Sequence, residues 1–137
     1  MKLQAYLNFG GTCREALTFY AKTFGGEITF LQSFGESPMS DHVSSDAQDL
    51  VMHATLQVGD QQIMGSDAPG DRYKAPQGFS VSVGLSDPEQ AKSIFAALAE
   101  GGKVDMEIQP TFWAAQFGMV TDRFGIPWMI NCEAPAA

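Results

Sequence analysis

His53 is one of two histidines in the chain and the side chain best suited to acid–base work. An imidazole exchanges protons near neutral pH. Thr55 and Gln57 follow at alternate positions, so on a strand they share its face. Acid–base chemistry stands here beside a simpler reading, a strand histidine hydrogen-bonded to a neighbour. His42 lies in a polar stretch and reads as solvated. The cysteines, Cys13 and Cys132, form no CxxC pair or disulfide framework. Cys13 opens an expected helix, where a thiol pKa can fall, although a half-buried small residue is the simpler account. Asp67, before Ala-Pro-Gly, offers a ligand anchor or, more simply, a cap for the turn that follows. Phe112 and Trp113 suit the stacking of a flat ligand or the core equally. Met39, Met64, Met119 and Met129 suit a soft pocket wall, with core filling the simpler use. The chain lacks GxGxxG after a strand, GxxxxGK[ST], HExxH and GxSxG.

The elements that carry these residues occur twice. Thr12-Cys13-Arg14-Glu15 reads as a capping box, followed by Ala16, Leu17, Tyr20 and Phe24 on one helical face and a stop at Gly25-Gly26. Ser86 or Asp87 caps a second helix, with Pro88 in its first turn, a stripe of Ala91, Ile94, Phe95 and Leu98, and a stop at Gly101-Gly102. The two glycine pairs are 76 positions apart. A period-two strand precedes each helix. In the first, Leu3, Ala5, Leu7 and Phe9 alternate with Gln4, Tyr6 and Asn8. In the second, Val81, Val83 and Leu85 alternate with Ser80, Ser82 and Gly84. A strand follows each glycine pair, at 27–34 and 103–112. A hairpin ends each module: 51–58 and 61–66 around Gly59-Asp60, then 114–121 and 127–132 around 122–125.

The fold class expected is therefore α+β, with β-α-β-β-β occurring twice in one domain spanning 1–137. The modules are 1–68, with a loop insertion at 36–49, and 78–137, joined by a linker at 69–77. The two-residue turn pairs Val58 with Gln61 and Leu56 with Ile63. His53, Thr55, Gln57, Gln62, Met64 and Ser66 then share a face.

Composition narrows the partners. The chain has 137 residues, 45% hydrophobic and 18% charged, enough for one globular core. Eight basic against sixteen acidic residues give a net charge of −8, and no basic face for nucleic acid or anionic membrane is apparent. No apolar run approaches a spanning helix, and Met1-Lys2-Leu3-Gln4 turns polar too early for a signal peptide, so a cytoplasmic location is expected.

The sequence resembles the vicinal-oxygen-chelate superfamily of glyoxalase I, ring-cleaving dioxygenases and bleomycin- and fosfomycin-resistance proteins. It is most similar to the PhnB-like branch labelled 3-demethylubiquinone-9 3-methyltransferase. The residues behind this are Tyr6-Leu7-Asn8-Phe9, Glu15-Ala16-Leu17-Thr18-Phe19-Tyr20, Phe24-Gly25-Gly26, Met52-His53-Ala54, Met64-Gly65-Ser66-Asp67, Phe112-Trp113 and Asp122-Arg123-Phe124-Gly125-Ile126-Pro127-Trp128. The resemblance implies a curved mixed sheet around a cleft, with helices on the convex side, and often a homodimer. Metal enzymes of the superfamily place four ligands on the first and last strands of each module. The matching positions here are Gln4, Met64, Ser80 and Met129, a set that lacks the carboxylates and imidazoles hard divalent ions need. A register slipped by one residue offers Ala5, Ile63, Phe79 and Trp128, which is no better.

The expectation is a binding protein for an unidentified small molecule, without metal or other cofactor. Gln4, Tyr6, Asn8, Met64, Ser80, Ser82, Trp113, Met129 and Asn131 would line the ligand site. The alternative is an enzyme of the same superfamily, a lyase, isomerase or transferase, using His53 as acid or base or a metal held by other ligands. A methyltransferase dependent on S-adenosylmethionine would need a glycine-rich strand-to-helix turn in a doubly wound sheet, which the pattern does not supply.

Overall fold

A computed structural model describes residues 1–133. Module one runs β1 (Ala5–Phe9), α1 (Cys13–Phe24), β2 (Glu27–Ser33), β3 (Val51–Val58) and β4 (Gln61–Asp67). Module two repeats the order with β5 (Val81–Leu85), α2 (Pro88–Ala99), β6 (Lys103–Gln109), β7 (Ala114–Thr121) and β8 (Pro127–Glu133). Their sheets are ordered β1-β4-β3-β2 and β5-β8-β7-β6. In each, the first strand pairs parallel with the last and the remaining pairs are antiparallel. The α+β class and the duplication stand as expected. The compact units are residues 1–75 and 76–137. Tyr73 belongs with the first because its ring lies against Gly10.

In both modules the helix covers one face of its own sheet. Cys13, Ala16, Leu17 and Tyr20 of α1 are buried with Leu7 and Phe9 of β1, Ala54 and Leu56 of β3. Ala91, Ile94, Phe95 and Leu98 of α2 are buried with Val120 of β7 and Trp128, Ile130 and Cys132 of β8. Strand alternation leaves the opposite face free of helix. Leu3 was expected in the first apolar row, but β1 begins only at Ala5 and Leu3 is 94% exposed.

The paired glycines have two jobs. Gly25 and Gly101 take φ of +75° and +71° just past their helices, the left-handed geometry that favours glycine. Gly26 and Gly102 sit where a Cβ would run into the carbonyl oxygens of Gln57 and Thr121. The second glycine therefore lets the chain turn tightly against the module's third strand.

Buried carboxylates hold each module. Asp67, 3% exposed, accepts from the N–H groups of Gly11 and Cys13 at 3.0 Å each and of Val51 at 2.9 Å. It ties the end of β4 to the start of α1 and of β3. This corrects two expectations. Thr12 stands at the N-cap, but its side chain makes no capping bond, and Asp67 serves that end rather than the turn after it. A full carboxylate facing helix-terminal N–H groups is a stronger acceptor than a hydroxyl. In module two Asp87 caps α2 by accepting from Glu89 N–H at 3.0 Å. Asp122 there accepts from the N–H groups of Phe124 and Ile126 at 2.9 and 3.0 Å and from Trp128 Nε1 at 2.8 Å, folding the β7–β8 turn.

Cys13 is fully buried, and its thiol is pushed up to about 12, first by loss of solvent and then by the Asp67 carboxylate, with Arg14 opposing. The helix-start lowering considered for Cys13 is thus outweighed. The insertion at 36–49 folds on itself through 3-10 turns at Ser40–His42 and Ser45–Ala47. Gln48 Nε2 donates to Ser40 O at 2.9 Å and Val43 O at 3.3 Å inside it. At its start Glu36 accepts from Ser33 Oγ at 2.8 Å and Ser33 N–H at 3.2 Å.

Two measurements test this account. Asp67→Asn should lower unfolding stability in urea by about 2–4 kcal/mol, because a buried carboxylate with several donors loses its charge and one acceptor. Asp71→Asn, at an exposed position, should change it by less than about 0.5 kcal/mol. Equal effects would show that the three Asp67 bonds do not organise module one. The Ser33 bonds hold the Glu36 carboxyl below its ordinary 4.5, the side-chain bond contributing most. A lowered folded value means the ionised, bonded form persists through that range and is lost as pH falls through the lowered value. NMR titration of Glu36 should show this midpoint, and Ser33→Ala should move it back up.

Candidate functional site

The helix-free face of module one carries a polar ladder. Gln4 Nε2 donates to Gln62 Oε1 at 3.2 Å, Gln62 Nε2 to Gln57 Oε1 at 2.7 Å, and Gln57 Nε2 to Gly59 O at 2.7 Å. The β3–β4 register is the expected one, with Leu56 opposite Ile63 and Val58 opposite Gln61.

The next row holds the chemistry. Across it, Tyr6 faces Met64, Met64 faces Thr55, and Thr55 faces Phe30. His53 stands beside this row with both ring nitrogens engaged. Tyr6 Oη lies 3.0 Å from Nδ1, and Thr55 Oγ1 lies 3.4 Å from Nε2. Both hydroxyls can donate or accept, so either neutral tautomer and the imidazolium can be accommodated. The Tyr6 ring stacks on the imidazole at 5.6 Å between centroids, and the Phe30 ring is tilted at 5.8 Å. Tyr6 and Phe30 remain exposed. Asn8, opposite Ser66 one pair further along β1, is also exposed. This face can offer a flat ring an aromatic surface, and a polar ligand hydroxyl, amide and imidazole groups.

Module two presents a more apolar helix-free face. Ser82 faces Met129, which faces Met119; Gly84 faces Asn131, which faces Phe117. Trp113 meets Phe117 edge-on at 5.2 Å, and Phe112 meets Trp113 at 4.7 Å. The strand expected over 103–112 ends at Gln109, before Pro110. Phe112 is 97% exposed and Trp113 48%, so neither is core. Nor do Met39, Met64, Met119 and Met129 fill cores. Met39 is exposed and the others are partly so, the last three on the helix-free faces. Ser80 stands just before β5.

The sequence-expected residues thus gather within each module: Gln4, Tyr6, Asn8, His53 and Met64 in the first, and Ser82, Trp113, Met129 and Asn131 in the second. Phe30 and Phe117 join them unexpectedly. A break in register between Ile28 and Phe30 brings Phe30 to the helix-free face, where strict alternation would have kept it with Ile28. Phe117 carried a usable signal, since it shares strand parity with Met119.

The positions matching the superfamily's metal ligands do not fit a hard divalent ion. The Gln4 amide is committed to Gln62, Ser80 is a neutral hydroxyl, and Met64 and Met129 are thioethers. Among the described residues no three His, Cys, Asp or Glu side chains converge. A nucleotide-type phosphate or S-adenosyl site at the Gly10-Gly11 turn fits no better, because the N–H groups of Gly11 and Cys13 already meet the Asp67 carboxylate.

Comparison with known proteins agrees with this architecture. Residues 1–131 match the family described as 3-demethylubiquinone-9 3-methyltransferase. Protein YjdN of Escherichia coli (strain K12) is 38% identical over 139 residues, covering 96% of this chain and 95% of that protein. PA1353 of Pseudomonas aeruginosa, a solved structure, is 45% identical with a TM-score of 0.89, covering 97% of this chain and 98% of that one. Two further solved structures are alike in fold alone. A PhnB protein of Bacillus cereus is 24% identical, with a TM-score of 0.81 and coverage of 96% and 99%. The fosfomycin resistance protein FosX of Listeria monocytogenes is 8% identical, with a TM-score of 0.64 and coverage of 98% and 93%. With this match over nearly the whole chain, and the same pair of βαβββ modules, the protein belongs to the PhnB-like 3-demethylubiquinone-9 3-methyltransferase family and has the vicinal-oxygen-chelate fold.

Proposed function

We propose that the protein binds a small organic molecule and holds no metal in its site. The observation that carries this reading is the Tyr6–His53–Phe30 group, an imidazole held at both nitrogens between two exposed rings. Such a surface offers ring contact and hydrogen bonding together, the combination that ligand sites use. On that face of module one Asn8 and Met64 would also meet the ligand, with Gln4 bracing the edge; on the helix-free face of module two Ser82, Trp113, Met129 and Asn131 would do so, with Ser80 at the foot of β5. FosX, a fosfomycin resistance protein of the same fold, lends the reading support by analogy only.

The second reading, an enzyme, rests on the same imidazole. His53 would take a proton from substrate at one nitrogen while Tyr6 or Thr55 satisfied the other. The ligand chemistry argues against a metal-assisted version through Gln4, Met64, Ser80 and Met129, since none supplies the negative charge that offsets dehydration of a hard ion.

We also propose a homodimer in the cytoplasm, with neither nucleic acid nor membrane as partner. Each module's sheet ends on two edge strands, β1 and β2 or β5 and β6, and a second copy would cover such edges. No helix among the described residues is long and apolar enough to cross a membrane.

A thermal-shift screen over metals, aromatic drugs, phosphonates and keto-acids tests binding. A ligand at a hundred times its Kd should stabilise the fold by about 2.7 kcal/mol. The shift should shrink on Tyr6→Phe and His53→Ala, without turnover. A pH-dependent turnover abolished by His53→Ala would establish the enzyme instead. One equivalent of divalent metal after dialysis, lost on Gln4→Ala, would overturn the metal-free reading. Sedimentation should give a dimer, and a monomer at tens of micromolar (an order-of-magnitude bound for a stable dimer) would refute that state.

A further inference from the structure

Asn131 Oδ1, on the helix-free face of module two, is buried with no hydrogen-bond partner. Buried carbonyl oxygens normally have one, so this one calls for a donor that the fold does not supply. The neighbours of Asn131 indicate where that donor would enter. On one side its strand partner is Phe117; on the other it is Gly84. A Cβ added to Gly84 would meet nothing within 4 Å, and its φ is not positive. Among the described residues every other glycine either has positive φ or has atoms within 4 Å of its would-be Cβ. Neither backbone nor crowding requires glycine at 84, and its lack of a side chain leaves open space at the strand partner of Asn131. Phe117 and Trp113, 5.2 Å apart, form a ring wall on the far side of Asn131. On the same face Ser82, Met129 and Met119 are uncharged, and Glu133, two positions beyond Asn131 on β8, is exposed and acidic, which disfavours an anionic ligand.

We propose that this opening takes a flat, neutral ring bearing an N–H or O–H group, an indole- or phenol-like moiety. It would lie over Gly84 and donate to Asn131 Oδ1 beside Phe117 and Trp113. This rests on the small-molecule reading above and names the ligand class for the module-two face.

The probes are indole and 1-methylindole, which share a ring and differ in the donor. NMR titration of the full chain should show indole binding about tenfold tighter, with shifts centred on Gly84, Asn131 and Trp113. Asn131→Leu should erase that preference and also raise Tm, since an apolar group of similar shape removes an unmet buried acceptor. Gly84→Val should block both probes in a folded protein, because a β-branched residue suits a strand. Equal affinities, shifts that avoid Gly84, or a preference surviving Asn131→Leu would overturn the proposal. If other compounds of the screen bind and indole does not, this inference alone falls. If none binds, the small-molecule reading falls with it.

Discussion

The Asp67 carboxylate is the constraint on which module one depends. Three strand and helix ends converge on it through N–H groups from Gly11, Cys13 and Val51. Its burial would be costly unpaired, and three donors make it tolerable. The same contact sets where β1 hands over to α1 and where β3 begins. Both decide that Tyr6 and His53 come within 3.0 Å. Occupying the first N–H groups of α1 also removes the usual anion site from that helix end. A ligand of the kind proposed for module one would therefore meet the sheet face and not the start of α1.

Module two solves the same closure differently. In its last strand buried Cys132 lies opposite Leu85, the pair corresponding to Asp67 opposite Phe9. With no carboxylate there, α2 takes a local cap from Asp87. The buried carboxylate moves to Asp122 at the β7–β8 turn, where it also holds the indole of Trp128. Both solutions leave the sheet face opposite the helix unencumbered.

What was legible in the sequence was local or periodic. The glycine pairs, the Gly59-Asp60 turn and the strand alternation predicted two copies of β-α-β-β-β and the hairpin register, since each depends on residues a few positions apart. What was not legible depends on distant partners. The Thr12–Glu15 pattern satisfies a local capping rule, yet Asp67, 54 positions from Cys13, supplies the acceptor. The register break before Phe30 places it on a face that alternation from Ile28 does not give. Phe112 and Trp113 have core-like composition, but Pro110 ends the strand before they can enter a sheet.

Duplication also separates scaffold from site. The scaffold features recur: a left-handed glycine, a second glycine packed on a strand carbonyl, and a parallel first-to-last strand pair. The helix-free faces do not. Where Tyr6 faces Met64 in one module, Ser82 faces Met129 in the other; where Thr55 and His53 stand in β3, β7 carries Met119 and Phe117. One face carries a glutamine ladder and a Tyr6–His53–Thr55 chain of hydrogen bonds. The other has rings, thioethers and one amide oxygen without a donor. A role in folding alone would put no pressure on these faces to differ, since both helices already bury the apolar sides. The divergence gives each face its own chemistry, the first a polar network whose groups bond one another and the second an acceptor still unmet.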